Sequence, residues 1–544
     1  MRTRSARIGQ ACILALLCSA GLLLSSRVTA QGPPAQRRVE RVNGHDAVAG
    51  DVIVKYVNPR TAVELAQANA VSATQDNDLG TSGGRLRHIH SDRFDTATLL
   101  AYFDGAPGVE YAEPNYMVYA IATPNDSSFP SLWGMLNSGQ VMGGSTGTPG
   151  TDIKATLAWN FTTGSTANVV GVVDTGVDYN HPDLAANVWS APTSFTVNIG
   201  GVNVTCPAGS HGFDAITFSC DPLDDNNHGT HVSGTIGGRG NNGTGVAGVN
   251  WTASIMGLKF LNASGSGSTV GAINAIDFAI KAKQAFGATG GANVRVLSNS
   301  WGGGGFSQSL LNKINEANNN RMLFVAAAGN ANSNNDSVAF YPANYNAPNV
   351  VSVAATDNKD LRASFSNYGA TMVDLAAPGV FILSTVRNNG YAFFNGTSMA
   401  TPHVAGVAAL VLAACWMETA TLKHLLLNTV DPIASMSGIT VSGGRLNANK
   451  ALIGCTSPGA PPGLSATAGN NQVTLQWQAG LGAVAYIIKR GTSSGNETFL
   501  NWTVQTSYTD TTAVNGTKYY YTITTVNANG VQSGASNEAS ATPH

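Results

Sequence analysis

The chain is 544 residues long and poor in charge. Asp, Glu, Lys and Arg supply 11% of it, against about a quarter of an average soluble domain. A formal net charge of −2, with no long basic run, leaves no electrostatic footprint for nucleic acid. Cysteine is scarce as well. There are 6, none in a Cys-x-x-Cys spacing, so nothing points to a structural zinc. Long apolar runs are missing beyond the N-terminus. The stretch Val404 to Trp416 is broken by Gly406 and is shorter than the roughly 20 residues of a spanning helix. It reads as a buried helix, and stable membrane insertion is not expected. Heptads and a collagen period are absent, which excludes coiled coils and triple helices. What is plentiful is glycine, 62 residues, alongside 43% hydrophobic content. That is enough for a large core and argues against general disorder. At about 100–200 residues per domain, the length implies several folded units.

The first thirty residues are an export address. Arg2, Arg4 and Arg7 precede an apolar stretch from Ile13 to Leu24, and Val28-Thr29-Ala30 is a small-x-small pattern before Gln31. Residues 1–30 are read as a secretory signal peptide, so the protein is expected outside the cell, with passage through a periplasm allowed. A lipid anchor at Cys18 is disfavoured by Leu17 before it. Cys12 and Cys18 leave with the leader. Cys206, Cys220, Cys415 and Cys455 remain, and an oxidising compartment joins such residues. Four cysteines allow three pairings. The nearest-neighbour pairs Cys206–Cys220 and Cys415–Cys455 are expected, each worth about 3–4 kcal/mol in the chain-entropy picture.

Composition then divides the chain. Residues 31–121 hold 8 Lys/Arg and 11 Asp/Glu, a charge density well above the rest. Strand-like alternation at Asp51–Val57 and within Phe103–Tyr119, with helical spacing at Thr61–Ala70, fits a small α+β unit. Ile121 to Ser128 reads as a loop. Residues 122–457 alternate continuous apolar strands (Val169–Val173, Ser254–Leu261, Val294–Ser300, Met322–Ala328, Val350–Ala355) with helical stretches such as Val270–Phe286 and Ser309–Asn318. That pattern predicts an α/β fold whose mostly parallel sheet is covered by helices on both faces. After the linker-like Pro458–Gly463, residues 458–544 carry short alternating strands such as Val473–Trp477 and Tyr519–Val526, with turns at Asn515-Gly516 and Asn529-Gly530. This is the size and grammar of a β-sandwich. It resembles a fibronectin type III module with Trp477, Tyr519 and Tyr521 as core aromatics.

Three segments carry chemistry. Asp174 ends a buried strand in Val173-Asp-Thr-Gly-Val-Asp178-Tyr-Asn-His181-Pro-Asp183. His228 sits in Asp225-Asn-Asn-His-Gly-Thr-His231, where a loop runs into a helix. Ser398 lies in Asn395-Gly-Thr-Ser-Met-Ala-Thr-Pro402, where a loop enters an apolar helix. An acid, an imidazole and a hydroxyl in this order match the chain order of subtilisin, distinct from that of chymotrypsin and of the α/β-hydrolases. With all three motifs present, the middle of the chain resembles the subtilisin-like (subtilase) serine proteases, and residues 31–121 resemble the family's inhibitory propeptide. The implied roles follow from physical need. A serine hydroxyl requires a base, His228, and the base requires an orienter, Asp174. Ser398 at a helix start offers a backbone N–H to an oxyanion. Asn330, in Phe324-Val-Ala-Ala-Ala-Gly-Asn330, matches the family's side-chain donor. His231 and His403 read as structural, and Asp178 and His181 have no chemical role that the sequence supplies.

The same resemblance implies the substrate site. Leu297–Gly303 is similar to the family strand that pairs with an extended substrate backbone. Ser300, Trp301 and Gly302 with Ala327, Ala328 and Gly329 are expected to wall the main pocket, and Phe340, Tyr341 and Pro342 to lie near its base. None is acidic, so apolar or aromatic side chains are expected on the acyl side of the cut bond. Asp183, with the turn Gly240–Gly245, resembles a family calcium site, and Asp221, Asp224 and Asp225 offer a second cluster. Calcium is expected as a structural ion, with no cofactor for catalysis. The reading is a secreted serine endopeptidase, made as an autoprocessed zymogen and monomeric. Its partners are protein or peptide substrates and its own propeptide. A lipase or esterase would favour Gly-x-Ser-x-Gly, but Ala400 takes the last position. A catalytically dead adhesin would usually lack one of the four active-site residues.

Overall fold

The computed structural model describes residues 39–42, 45–58, 62–80, 85–117, 123–287, 290–456, 458–480, 482–527 and 532–544. The signal peptide expected at 1–30 lies outside them. The chain divides into two compact units after Val118.

In the first unit, strand His45–Tyr56 pairs antiparallel with Val39–Val42, Leu86–Ser91 and Val109–Tyr116, and Ala73–Asp78 adds to Leu86–Ser91. Helices Ala62–Ala70 and Thr96–Phe103 complete it. Alternate residues of the long strand (Val52, Val54, Tyr56) meet Ile89, Leu99 and Phe103 in one small core. This is the α+β unit that the alternation implied.

The second unit is built on a nine-stranded sheet. We number its strands β1 Val169–Asp174, β2 Gly212–Asp214, β3 Ile255–Lys259, β4 Val294–Asn299, β5 Leu323–Ala327, β6 Val350–Thr356, β7 Leu375–Pro378, β8 Asp431–Pro432 and β9 Gly444–Arg445. Their spatial order is β2-β3-β1-β4-β5-β6-β7-β9-β8. All pairings are parallel except that of β8 with β9. The continuous apolar strands are explained by cover on both faces. On one face pack α1 (His228–Gly237), α4 (Thr397–Ala414), α5 (Thr419–Asn428) and α6 (Ala448–Thr456), and on the other α2 (Thr269–Phe286) and α3 (Gln308–Asn319). Helix α4 is long and apolar enough to cross a membrane by length and composition, yet 83% of it is buried in the protein. It is the core helix that the run Val404–Trp416 implied. Cys206–Cys220 and Cys415–Cys455 are both joined, with Cα separations of 5.5 and 6.1 Å.

The C-terminal part of this unit is β-rich. A three-stranded sheet (Ser465–Gly469, Gln472–Gln476, Ser507–Asp510) and a five-stranded one built around Tyr519–Val526 enclose Val473, Leu475, Trp477, Tyr486, Ile488, Tyr519, Tyr521 and Ile523. Gly516 has the positive φ of the expected Asn515-Gly516 turn. The Asn529-Gly530 turn lies outside the described residues.

Candidate active site

The parallel sheet sets the site. Side chains at the carboxyl ends of its strands project into a crevice where ligands bind in open α/β sheets. Asp174 is the last residue of β1 and is fully buried. Its Oδ1 accepts the amide hydrogen of Thr175 at 2.8 Å and lies 2.7 Å from Nδ1 of His228. Nδ1 is therefore the protonated ring nitrogen, and Nε2 is left as the acceptor. His228 opens α1. The close approach of the two segments depends on glycine. A Cβ on Gly229 would meet the carbonyl oxygen of Gly176 at 2.1 Å. Burial pulls the imidazole pKa down, but the charge and hydrogen bond of Asp174, with the charge of Asp224, outweigh it and hold His228 above its ordinary value.

Ser398 stands in the first turn of α4. Its hydroxyl donates to the carbonyl of Ser300 at 3.0 Å, and the Ser300 hydroxyl donates to the carbonyl of Ser398 at 2.8 Å. Pro402 explains the second bond. It has no N–H for the carbonyl four residues before it, so Ser300 supplies the donor. The serine–imidazole hydrogen bond expected from the sequence is not made in this rotamer, because the Ser300 carbonyl takes the proton. Ser300, Trp301 and Gly302 line an open cleft of about 520 Å³ together with His228, Thr175, Phe260 and Leu261. The indole of Trp301 meets Phe260 edge-on at 4.8 Å.

Asn330 follows β5. Its Oδ1 accepts both the N–H and the hydroxyl of Thr397, each at 2.9 Å, which fixes the amide and orients its Nδ2. Gly396, with φ +152°, has a backbone that other residues rarely adopt. A Cβ there would lie 3.5 Å from Asn330 Nδ2 and 3.5 Å from the backbone nitrogen of Ser398. Two donors therefore border one small space beside the serine. Ala327, Ala328 and Gly329 do not line the cleft of His228. The two alanines are buried, and Gly329 donates its N–H to the Thr397 hydroxyl at 3.2 Å. Phe340 lies against both glycines: a Cβ on Gly302 would come within 2.2 Å of its ring, and one on Gly329 within 3.1 Å.

The remaining motif residues hold the frame. His231 Nε2 lies 3.0 Å from the carbonyls of Ile382 and Ala392, and its ring stacks on Phe394 at 4.3 Å. Burial drives its pKa down to about 3. His403 donates from Nδ1 to Met399 in its own helix, and burial lowers its pKa to about 4. Asp178 accepts the amide of Asn388 at 3.1 Å, and His181 Nε2 bonds the carbonyl of Gly390 at 3.1 Å. These two pin the hairpin Ile382–Phe394, a role their spacing did not reveal.

Asp183 is fully buried. It accepts from Asn242 Nδ2 at 2.7 Å, the amide of Val246 at 2.7 Å and the hydroxyl of Tyr391 at 3.2 Å. Sequence reasoning missed its neighbour Asp126, which lies in a stretch read only as a loop. One Asp126 oxygen accepts the amide of Asn241 at 2.6 Å, and the other is buried with no partner. Burial raises both carboxyl pKa values, and Asp126 adds to the shift of Asp183. Two buried carboxylates with an orphaned oxygen, among amide and carbonyl groups, form a donor set that suits a hard cation. The second cluster does not assemble. Asp221 accepts from Tyr179, Asp225 pairs with Lys259, and Asp224 is spent on backbone amides and on the hydroxyls of Thr175 and Thr230. Among the described residues no group of three or more His, Cys, Asp or Glu could hold a metal.

A buried carboxylate on an imidazole, at the strand ends of a helix-covered parallel sheet, with a serine at the start of a core helix, defines a serine hydrolase of α/β fold. Residues 165–482 match the model of the Subtilase family (peptidase S8), and residues 33–115 match the fervidolysin N-terminal prodomain. The chain is 36% identical over 409 residues to a thermophilic serine proteinase of Bacillus sp. strain AK1, covering 74% of this chain and 88% of that one. It is 39% identical to thermitase of Thermoactinomyces vulgaris over 300 residues, 55% of this chain and 93% of the relative. A solved protease structure from Pseudoalteromonas arctica PAMC 21717 is 30% identical, with 61% of this chain and 99% of that chain covered and a TM-score of 0.48. The protein belongs to the subtilase family. It is a subtilisin-like serine endopeptidase with an N-terminal prodomain, and so is made as a zymogen.

Proposed function

We propose that the protein is a secreted endopeptidase that cuts peptide bonds through an acyl-enzyme on Ser398. The observation that carries this reading is the 2.7 Å contact between Asp174 and Nδ1 of His228, in a cleft shared with the Ser300 segment that holds Ser398. His228 Nε2 takes the hydroxyl proton as Ser398 attacks the carbonyl, then returns it to the leaving amine, while Asp174 stabilises the imidazolium. Turning the hydroxyl from Ser300 to His228 accompanies substrate binding, since catalytic hydrogen bonds often tighten only in the bound complex. The oxyanion enters the space over Gly396, between Asn330 Nδ2 and the Ser398 amide, where preorganised donors stabilise developing charge. An extended substrate pairs with Ser300–Gly302. The residues taken to form the specificity pocket, Phe340, Gly302 and Gly329 among them, include no carboxylate, which favours apolar or aromatic side chains on the acyl side.

The N-terminal unit acts as the enzyme's own inhibitor and is removed by self-cleavage between about Tyr119 and Ser127. The working division is 31–121 propeptide, 122–457 catalytic domain and 458–544 a fibronectin type III-like sandwich. Calcium, held by Asp126, Asp183 and nearby amide or carbonyl oxygens, braces the turn Gly240–Gly245 and supplies no chemistry to bond cleavage. Chelation is then expected to lower the thermal midpoint, and Asp126→Asn to remove most of that dependence. The function is tested with Ser398→Ala. The variant should be exported as uncut precursor without casein hydrolysis, and normal processing would refute self-cleavage.

A further inference from the structure

The turn that delivers His228 is organised by a carboxylate outside the three catalytic side chains. Asp224 is 1% exposed. Its Oδ1 accepts the Thr175 hydroxyl at 2.8 Å and the Asn226 amide at 2.8 Å. Its Oδ2 accepts the Thr230 amide at 3.1 Å, the Thr230 hydroxyl at 2.6 Å and the Asn227 amide at 3.2 Å. Thr175 follows Asp174 directly, and Thr230 lies two residues beyond His228. The Thr175 hydroxyl also accepts the amide of Gly229 at 2.9 Å. One buried carboxylate thus spans the strand end that bears the acid and the helix start that bears the base.

We propose that Asp224 is a positioning residue of the catalytic pair: it locks the turn ending in His228 to the end of β1, and its charge faces the imidazole as a second carboxylate. The inference rests on the protease reading above. Other charged groups touch the same two threonines: the Thr230 hydroxyl accepts the amide of Asp178 at 3.0 Å, and Lys259 Nζ donates to the Thr175 carbonyl at 2.6 Å. Asp225 pairs with Lys259 of β3 at 2.6 Å. Arg387 of the hairpin offers its backbone amide to Asn227. His231, one turn along α1, is kept neutral by burial. Asp174 and Asp224 are the carboxylates that raise the His228 pKa. An amide at position 224 removes the charge and turns one acceptor into a donor facing N–H groups. Both functions fail together.

The experiment compares the secreted wild-type enzyme with Asp224→Asn on a chromogenic peptide across pH. Active sites are counted with a serine-directed fluorophosphonate. In Asp224→Asn the acid limb of kcat/KM should move to lower pH by about half a unit or more. The kcat should fall roughly ten- to a hundredfold, the scale of a small misplacement, with KM nearly unchanged. A lower thermal midpoint with an unmoved acid limb would overturn the proposal and reduce Asp224 to support of the fold. Thr175→Val and Thr175→Ser decide the matter if Asp224→Asn does not fold. Valine cuts the tether but leaves the charge, so kcat should fall without a shift of the limb, and serine should restore it. Wild-type rates in Thr175→Val would also overturn the proposal. If the wild-type enzyme itself neither cuts peptide nor takes the label, the protease reading fails rather than this inference.

Discussion

Ser300 and Ser398 hold each other, each hydroxyl donating to the other's carbonyl, at 2.8 and 3.0 Å. The exchange couples the first residue of the cleft-lining segment Ser300–Gly302 to the first turn of the helix that bears Ser398. It exists because Pro402 denies Ser398 its helical donor. Ser300→Ala leaves a part-buried carbonyl without this partner, a cost of up to about 1–3 kcal/mol, the range for a buried group. The unfolding midpoint in urea should fall accordingly, and kcat should fall with it as the turn loses its anchor. A variant as stable as the parent would show that water replaces the hydroxyl at no cost.

Asn330 is oriented by Thr397, so its Nδ2 is aimed before substrate arrives. Asn330→Ala removes one of the two donors at the space over Gly396. The expected loss is about a hundred- to a thousandfold in kcat, with KM little changed, because the donor acts on charge that appears only in the transition state. A rise in KM at constant kcat would assign Asn330 to ground-state binding instead.

The pH dependence of activity follows from His228. Its folded pKa lies above the ordinary value of 6.5, and only the neutral imidazole can take the serine proton. The kcat/KM for a peptide should therefore rise with pH through a midpoint above 6.5 in the free enzyme. For stability the sign is opposite. A raised histidine pKa contributes fully below the unfolded value and is lost as pH rises through the folded one. A midpoint below 6.5 in the kinetic profile would contradict the Asp174–His228 geometry.

His231 and His403 act the other way. Burial lowers their pKa values to about 3 and about 4, so the folded protein keeps them neutral where the unfolded chain binds protons. Between about pH 6.5 and 4 each should drain stability by roughly 1.4 kcal/mol per pH unit as pH falls. Buried carboxylates such as Asp183 oppose this, so the useful quantity is a difference. In urea titrations His403→Leu should flatten the slope by about one proton relative to the parent. Parallel slopes would show that His403 is protonated in the folded state.

Much of this architecture was legible in the chain. Val169–Val173, Met322–Ala328 and, but for Ser352, Val350–Ala355 carry no polar side chain because helices cover both faces, and each falls on a strand. Helices α2 and α3 start within a residue of their expected positions, where Ser268 and Ser307 cap them. What escaped was short or non-local. Strands β2, β8 and β9 are 3 or 2 residues long, too brief to show a period. Asp126 and Asp183 are 57 positions apart, and nothing local marks Asp126 as a partner. Asp224 looked like a cation ligand because acidic neighbours surround it, yet in the fold they turn to different partners and it caps the His228 turn. The Ser300–Ser398 exchange could not be read either, since it needs the missing N–H of a proline four residues past the nucleophile.

On the reading proposed above, Ser398 is the activated nucleophile of this protease. The most direct test is to label the secreted enzyme with a fluorophosphonate, digest it and locate the adduct by mass spectrometry. A single adduct is expected, on Ser398, formed in step with loss of casein hydrolysis and absent from Asp174→Asn and His228→Ala at matched times. An unlabelled Ser398 in an enzyme that still cuts casein, or an adduct on another serine that tracks the loss of activity, would contradict it.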